Sequence, residues 1–254
     1  MATLAKDWID DVRTAVAFLT RVPMPHPDGP LPPNFIRAHR AFPLVGAMIG
    51  LCVGAVYLAL LAIGLPGLGA AACALGASAL LTGGLHEDGL ADVADGFGGG
   101  RDKAAKLEIM RDSRLGTYGA LILLVAFAAK LSALAALPRS AVLPALAAAH
   151  ALGRGILPAM VMTMPYARAD GLAASAGRPD TATVAIALAL ALAVDVAALQ
   201  FTDAIGAALL AVASGAGMAA LAHRQIGGQT GDVLGGAEQV CETAVLLFLA
   251  ARLA

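Results

Sequence analysis

Charge is what this 254-residue chain has least of: Asp, Glu, Lys and Arg make up 14% of it, against 59% hydrophobic residues. An ordinary soluble domain carries about 25% charged residues. The deficit excludes a surface built for water and points to a polytopic membrane protein. Aromatic residues are also scarce, at 4%, so Ala, Leu, Val and Gly supply the apolar surface. Small residues at that density let membrane helices approach closely. Net charge is −1, which removes the electrostatic basis for binding nucleic acid. The three cysteines, Cys52, Cys73 and Cys241, lie in apolar stretches without ligand-like spacing. They are expected to be buried thiols, neither a zinc site nor a disulfide framework. No secretory leader is evident, because residues 1–40 are polar and broken by proline before the first long apolar run. Membrane insertion is expected through the first transmembrane helix itself.

Long apolar runs are what the sequence has in quantity. A helix of about 20 apolar residues crosses the ~30 Å hydrocarbon core. The runs 42–64, 67–85, 116–137, 140–164, 181–200 and 204–222 meet that length; 239–253 is shorter and contains Glu242. The expected fold is an all-α membrane bundle of six to seven spans, forming one domain over residues 1–254. Pro66-Gly67 is expected to turn the first two spans into a hairpin. Residues 7–20 read as an amphipathic helix at the membrane interface, with Trp8, Ile9, Val12, Val16 and Leu19 opposite Asp10, Asp11 and Arg13. Residues 23–33, rich in proline, are expected to run extended. Segments 1–41, 86–115, 165–180 and 223–238 hold 13 Lys and Arg on one side; Arg139 and Arg252 alone fall on the other, with Lys130 and Arg154 inside spans. The positive-inside rule then places the N-terminus in the cytoplasm, together with the motif loops 86–115 and 223–242. No internal repeat is evident, which weighs against an inverted-repeat transporter.

After 45 residues without Asp, Glu, Lys, Arg or His, the chain reads His86-Glu87-Asp88-Gly89-Leu90-Ala91-Asp92-Val93-Ala94-Asp95-Gly96. On a helix, Asp88, Asp92 and Asp95 share one face. Like charges so placed repel, and a divalent cation relieves them; hard oxygen donors of this kind suit magnesium. A solvated helix end is the plainer reading of the same acids. Glu87 points away from that face. His86 lies roughly opposite, as an interfacial histidine or a substrate contact. Residues 96–100, nearly all glycine, are expected to be too flexible to continue the helix. Asp102 then reads as the N-cap of a helix to about Arg114.

The cations come next. Arg111 and Arg114 present guanidinium forks suited to phosphate, or serve as ordinary anchors at the membrane surface. His150 and Arg154 stand i, i+4 within a span. An arginine there costs ~2.5–3.5 kcal/mol on insertion scales and usually faces a polar cavity, so phosphate or a carboxylate is its expected partner. Lys130 is expected to snorkel toward a span end. Near the C-terminus, glycines flank Gln229, Thr230 and Asp232, as where backbone must approach a ligand; Glu238 and Glu242 follow on one helical face. Together these residues read as a metal–phosphate site. The chemistry they support is that of a membrane-embedded phosphotransferase or a pyrophosphate-cleaving enzyme.

On particular motifs the chain resembles the cobalamin synthase family, the adenosylcobinamide-GDP ribazoletransferases. The motifs are Phe18-Leu19-Thr20-Arg21-Val22-Pro23, Phe42-Pro43-Leu44-Val45-Gly46, and Thr82-Gly83-Gly84-Leu85-His86 running on through Asp88, Asp92 and Asp95. They continue with Leu107-Glu108-Ile109-Met110-Arg111-Asp112-Ser113-Arg114-Leu115-Gly116-Thr117 and Gly228-Gln229-Thr230-Gly231-Asp232. Glu87 departs from the apolar residue of many relatives. The resemblance implies a magnesium-dependent reaction at the inner membrane, with its site facing the cytoplasm. Adenosylcobinamide-GDP and α-ribazole, or its 5′-phosphate, give adenosylcobalamin, or its 5′-phosphate, and GMP. Asp88, Asp92 and Asp95 are then the expected metal ligands and catalytic carboxylates, with Asp232 a further metal or nucleotide contact. His86, Arg111, Arg114, Arg154, Gln229, Thr230 and Asp232 are the expected substrate contacts. The lipid bilayer is the macroscopic partner implied, with no nucleic acid, and a homo-oligomer is compatible with the reading. Two alternatives stand beside this reading. One is a lipid phosphotransferase of the CDP-alcohol type, distinguished by a lipid acceptor. The other is an ion-coupled transporter, motivated by Arg154, Asp195 and Glu242 in or near spans.

Overall fold

Backbone in a bilayer must satisfy its own hydrogen bonds, so apolar runs close on themselves as helices. The computed structural model describes residues 2–25, 32–168 and 176–253 and, apart from one isolated bridge between Tyr166 and Gln229, its regular structure is helical throughout. The helices are α1 (Ala2–Leu19), α2 (Phe35–Ala38), α3 (Phe42–Ala62), α4 (Gly67–Thr82), α5 (Leu85–Gly99), α6 (Lys103–Ile109), α7 (Thr117–Ala136), α8 (Arg139–Gly155), α9 (Leu157–Thr163), α10 (Thr181–Ala198), α11 (Phe201–Ile226) and α12 (Gly231–Leu253). Among the described residues, six stretches are long and apolar enough to cross a membrane: Phe35–Ala62, Thr117–Ala136, Arg139–Thr163, Thr181–Ala198, Phe201–Ile226 and Gly231–Leu253. Outward-facing Leu80, Leu124, Val125, Leu209 and Val212 are 63–79% exposed, as contact with lipid requires. The protein is an integral membrane helical bundle.

Helix α8 is its axis, with every residue from 145 to 155 buried. Glycine spacing on α3 explains how it is enclosed. A Cβ at Gly46 or Gly50 would collide with the backbone oxygens of His150 and Leu146, so α3 lies against α8 backbone to backbone.

Several boundaries differ from the sequence expectation. The run 67–85 is not a straight span: Gly83 and Gly84 take φ of +71° and +69°, a left-handed pair that glycine adopts without strain. They end α4 and launch α5 at 92° to it. Helix α5 then continues to Gly99 through the glycines expected to end it. Those glycines are needed for packing, since a Cβ at Gly96 would strike Met110 and one at Gly98 would stand 2.7 Å from the Tyr118 ring. The segment 223–242 is mostly helix, and the last span starts at Gly231, well before residue 239. Asp102 caps α6 as expected, accepting from Ala105 N at 3.0 Å. That helix stops at Ile109 rather than near Arg114, because Asp112 accepts the Arg114 N–H at 3.1 Å in a local turn.

On α1, Val16 and Leu19 are buried and Trp8 and Val12 pack on the core as expected, but Asp11 faces inward with no exposed surface and Ile9 is 52% exposed. Arg37 and Arg40 meet the Asp11 carboxylate at 3.0 and 2.8 Å, and Asn34 donates to it at 2.8 Å. Those partners arrive from 20 and more residues away, which a helical wheel does not see. Within the proline-rich stretch, residues 26–31 lie outside the described residues. Of the cysteines, Cys241 is buried as expected; Cys52 and Cys73 are exposed on outer helix faces, and all three are free.

Candidate active site

Two glycines bring the acidic motifs together. A Cβ at Gly89 would lie 2.8 Å from the backbone oxygen of Asp232, and one at Gly235 would lie 3.2 Å from His86 Cα. Helices α5 and α12 therefore touch main chain to main chain, and the first turn of α12 lies against the acidic face of α5. Asp92, half-buried, sits in the field of Asp88, Asp232 and Asp95. Thr230 steers Asp232: its hydroxyl donates to Asp232 Oδ2 at 3.1 Å and accepts the Val233 N–H at 3.3 Å, capping α12.

Arg168 opposes this charge, with Nη2 3.7 Å from Asp232 Oδ2; its positive charge also bears on Asp92. One guanidinium against Asp88, Asp92 and Asp232 leaves a surplus of carboxylate oxygen in a half-enclosed place. Hard oxygen donors are the type magnesium takes, although the three carboxylates are not drawn together into a closed ligand set, as His150, Glu238 and Glu242 are. Asp95 is differently engaged. Buried, it accepts the backbone N–H groups of Gly116 at 2.7 Å and Gly119 at 2.8 Å, closing the first turn of α7.

Beneath the aspartates lies a buried ionic network. His86 Nδ1 stands 3.2 Å from Glu238 Oε2. Glu238 also takes a close hydrogen bond from Arg154 Nη1. Lys130 and His150 each reach Glu242 at 2.9 Å, and Lys130 donates to Gln239 at 2.6 Å. Lys130 thus turns inward instead of snorkelling. His150, Glu238 and Glu242 have atoms close enough to surround a metal ion. Arg154 and Lys130 already balance the two glutamates, however, so the cluster is complete as a charge-paired core. Arg154 finds carboxylates, as one of its two expected partners, and is enclosed by protein at 1% exposure. In that position its guanidinium is engaged by protein carboxylates.

The other expected contacts divide. Arg111 and Arg114 are exposed in the turn after α6. Arg114 clasps Asp112 through Nε and Nη2 at 3.0 and 2.5 Å, and that clasp holds the Asp112 carboxyl down at about 2. Gln229 acts through its backbone: its N–H donates to Pro165 O at 2.8 Å and its carbonyl accepts the Ala167 N–H at 2.9 Å. Its side-chain amide donates to Val161 O at 3.2 Å. This bridge carries Arg168 to the aspartates. Sequence reading counted Arg168 only as a surface cation, and no local motif distinguishes it.

Two clefts meet at Asp88. One, of about 200 Å³, runs from Phe18 and Phe35 past His86 to Asp232 and Leu234. The other, more open and about 680 Å³, is bordered by Arg21, Thr82, Gly84 and Leu115.

A helical bundle that gathers Asp88, Asp92 and Asp232 beside two clefts defines an integral membrane protein with an acidic candidate site. The family model described as cobalamin-5-phosphate synthase matches residues 11–250. A Bradyrhizobium diazoefficiens protein named adenosylcobinamide-GDP ribazoletransferase is 47% identical over 96% of this chain and 94% of its own length. Proteins of the same name from a Sinorhizobium species and from Rhizobium etli are each 45% identical, covering 96% and 98% of this chain and 97% and 99% of their own. The chain belongs to the cobalamin-5-phosphate synthase family. No solved structure matches it.

Proposed function

We propose that this protein is a transferase that joins adenosylcobinamide-GDP to α-ribazole, or its 5′-phosphate, giving adenosylcobalamin, or its 5′-phosphate, and GMP. The observation that carries the reading is the convergence of Asp88, Asp92 and Asp232 through the Gly89–Gly235 crossing, in a chain with near-full-length relatives of that name. The site is assigned to the cytoplasmic face of the inner membrane, in keeping with the excess of Lys and Arg on that side of the bundle.

In this reaction a ribose hydroxyl oxygen of the acceptor bonds to the phosphorus attached to cobinamide. The bond from that phosphorus to the bridging oxygen breaks, and GMP leaves with that oxygen. Asp88, Asp92 and Asp232 would hold magnesium, which when bound supplies charge neutralisation for the diphosphate and polarises the phosphorus. Asp88, the most exposed of the three and shared by both clefts, is placed to receive the hydroxyl proton. Arg168 offsets charge on the departing GMP phosphate. Asp95 fixes α5 against α7 and so keeps the acidic face in register. Arg111 and Arg114 are retained as outer contacts for the nucleotide diphosphate at the rim.

The test is direct. Purified, detergent-solubilised protein with adenosylcobinamide-GDP, α-ribazole and magnesium is expected to release GMP and form a corrinoid product in equal amounts. Asp88→Ala and Asp92→Ala are expected to abolish both. Full turnover in either variant would refute the ligand assignment, and absence of product from the wild type would refute the reaction.

A further inference from the structure

Resting on the reaction above, the two clefts at Asp88 raise the question of which substrate enters which. The smaller cleft is the aromatic centre of an aromatic-poor molecule. Of seven phenylalanines in the chain, Phe18, Phe35 and Phe42 line it together with His39. Three of the rings form a stack, with Phe18 and Phe42 parallel within 13° at 5.8 Å and His39 on Phe42 at 4.5 Å and 22°, while Phe35 stands edge-on to Phe18 and His39. Leu157, Val161 and Leu234 also line the cleft, and its polar groups gather at the end where Asp88 and Asp232 stand. His39 Nδ1 lies 3.1 Å from both the Phe35 and the Ile36 carbonyl oxygens, so that nitrogen is engaged by the preceding turn of the chain.

We infer that this cleft binds the planar, apolar, bicyclic base of the nucleoside acceptor, and that the larger cleft beside Arg21 takes the corrinoid nucleotide. Flat rings pack well against aromatic faces. The guanine of the donor suits it less: its hydrogen-bonding edge would have to pair at the Asp88–Asp232 end, where the reacting ribose must lie, and burying that edge against Phe and Leu side chains is costly. The dimethylbenzimidazole of α-ribazole carries no such edge. Seated among the rings, it directs its ribose toward Asp88 at the junction. The bulk of a corrin matches the open cleft of about 680 Å³ better than the enclosed one of about 200 Å³.

Leu234→Phe narrows the small cleft and Leu115→Trp narrows the large one. Steady-state kinetics in detergent are expected to show KM for α-ribazole raised about tenfold or more by Leu234→Phe, with KM for adenosylcobinamide-GDP nearly unchanged. Leu115→Trp should show the converse, and thermal melting should show both variants folded. Acceptors provide a second measurement that needs no variant. A ribosyl benzimidazole lacking both methyl groups should bind about tenfold more weakly, the scale of two buried apolar carbons. A ribosyl adenine should be rejected. If Leu234→Phe instead raises KM for the corrinoid nucleotide, or if the adenine nucleoside binds as tightly as α-ribazole, the subsite assignment is overturned while the reaction stands. A wild-type protein that forms no corrinoid product overturns the reaction and this inference with it.

Discussion

The Asp95 carboxylate accepts a 2.7 Å hydrogen bond from the backbone N–H of Gly116, and through it α5 is fastened to the start of α7. The sequence face Asp88, Asp92, Asp95 is thereby divided in its contacts. Losing a helix cap costs about 1 kcal/mol, and each buried N–H left unpaired costs about 1–3 kcal/mol more. Asp95→Ala is therefore expected to lower the melting temperature clearly, and Asp95→Asn, which keeps one acceptor oxygen, to lower it less. Magnesium titrations of activity should show a far smaller change for Asp95→Asn than for Asp88→Asn. An Asp95→Asn protein that melts like wild type but needs much more magnesium would place Asp95 among the metal ligands instead.

Backbone contact between α5 and α12 sets the spacing of the aspartates, and that can be disturbed by one methyl group. At Gly89 the added carbon would meet main-chain oxygen of Asp232 at 2.8 Å, which cannot swing aside as a side chain would. Overpacking of this kind costs about 1–3 kcal/mol. Gly89→Ala is expected to raise the magnesium concentration for half-maximal activity several-fold. Gly235→Ala, with 3.2 Å available, should do so less. Gly76→Ala, which faces open space, should behave as wild type in the same titration. Equal behaviour of all three would show that the crossing does not set the aspartate geometry.

How much of this was legible beforehand depends on the range of the interaction. Apolar run length gave the spans, because crossing a bilayer is a local requirement of about 20 residues. The acidic face of α5 was legible too, since helical periodicity alone places Asp88, Asp92 and Asp95 together. What failed was pairing at long range. Lys130 read as a cation snorkelling to a span end, and Arg154 as facing phosphate or a carboxylate that could not be named; each is matched to a glutamate of α12 at more than 80 residues' separation. Asp11 reads as solvated until Arg37 and Arg40 are folded onto it. Arg168 carries no motif; only the Gln229 bridge makes it part of the site.

Asp195 offers a case where a buried charge has no visible compensation. It lies on α10 with no exposed surface, and neither carboxylate oxygen has a hydrogen-bond partner. A buried polar group left so costs about 1–3 kcal/mol, and leucine has the same branching and number of side-chain heavy atoms, in a larger volume, without that cost. Asp195→Leu is expected to raise the melting temperature of the solubilised protein while leaving both KM values as they are. A loss of folded protein on gel filtration would instead show that the carboxylate holds a partner essential to the bundle.

Arg154 is the most consequential buried cation, because two acids depend on it. Its Nη1 contacts Glu238 and lies 3.4 Å from Glu242 Oε2, while His86, at the edge of the small cleft, leans on Glu238 at 3.2 Å. Removing one member of a buried ion pair costs about 3–5 kcal/mol, because the partner stays charged without compensation. Arg154→Ala is therefore expected to reduce the yield of monodisperse protein severely. Arg154→Lys keeps the charge but loses the planar fork, and should be intermediate. Pairing the loss with its partner separates structure from substrate binding: Arg154→Met combined with Glu238→Gln removes both charges and should recover much of the melting temperature lost by Arg154→Met alone. If Arg154→Lys instead melts as wild type and raises KM for adenosylcobinamide-GDP, the guanidinium contacts substrate and the charge-paired core is not its role.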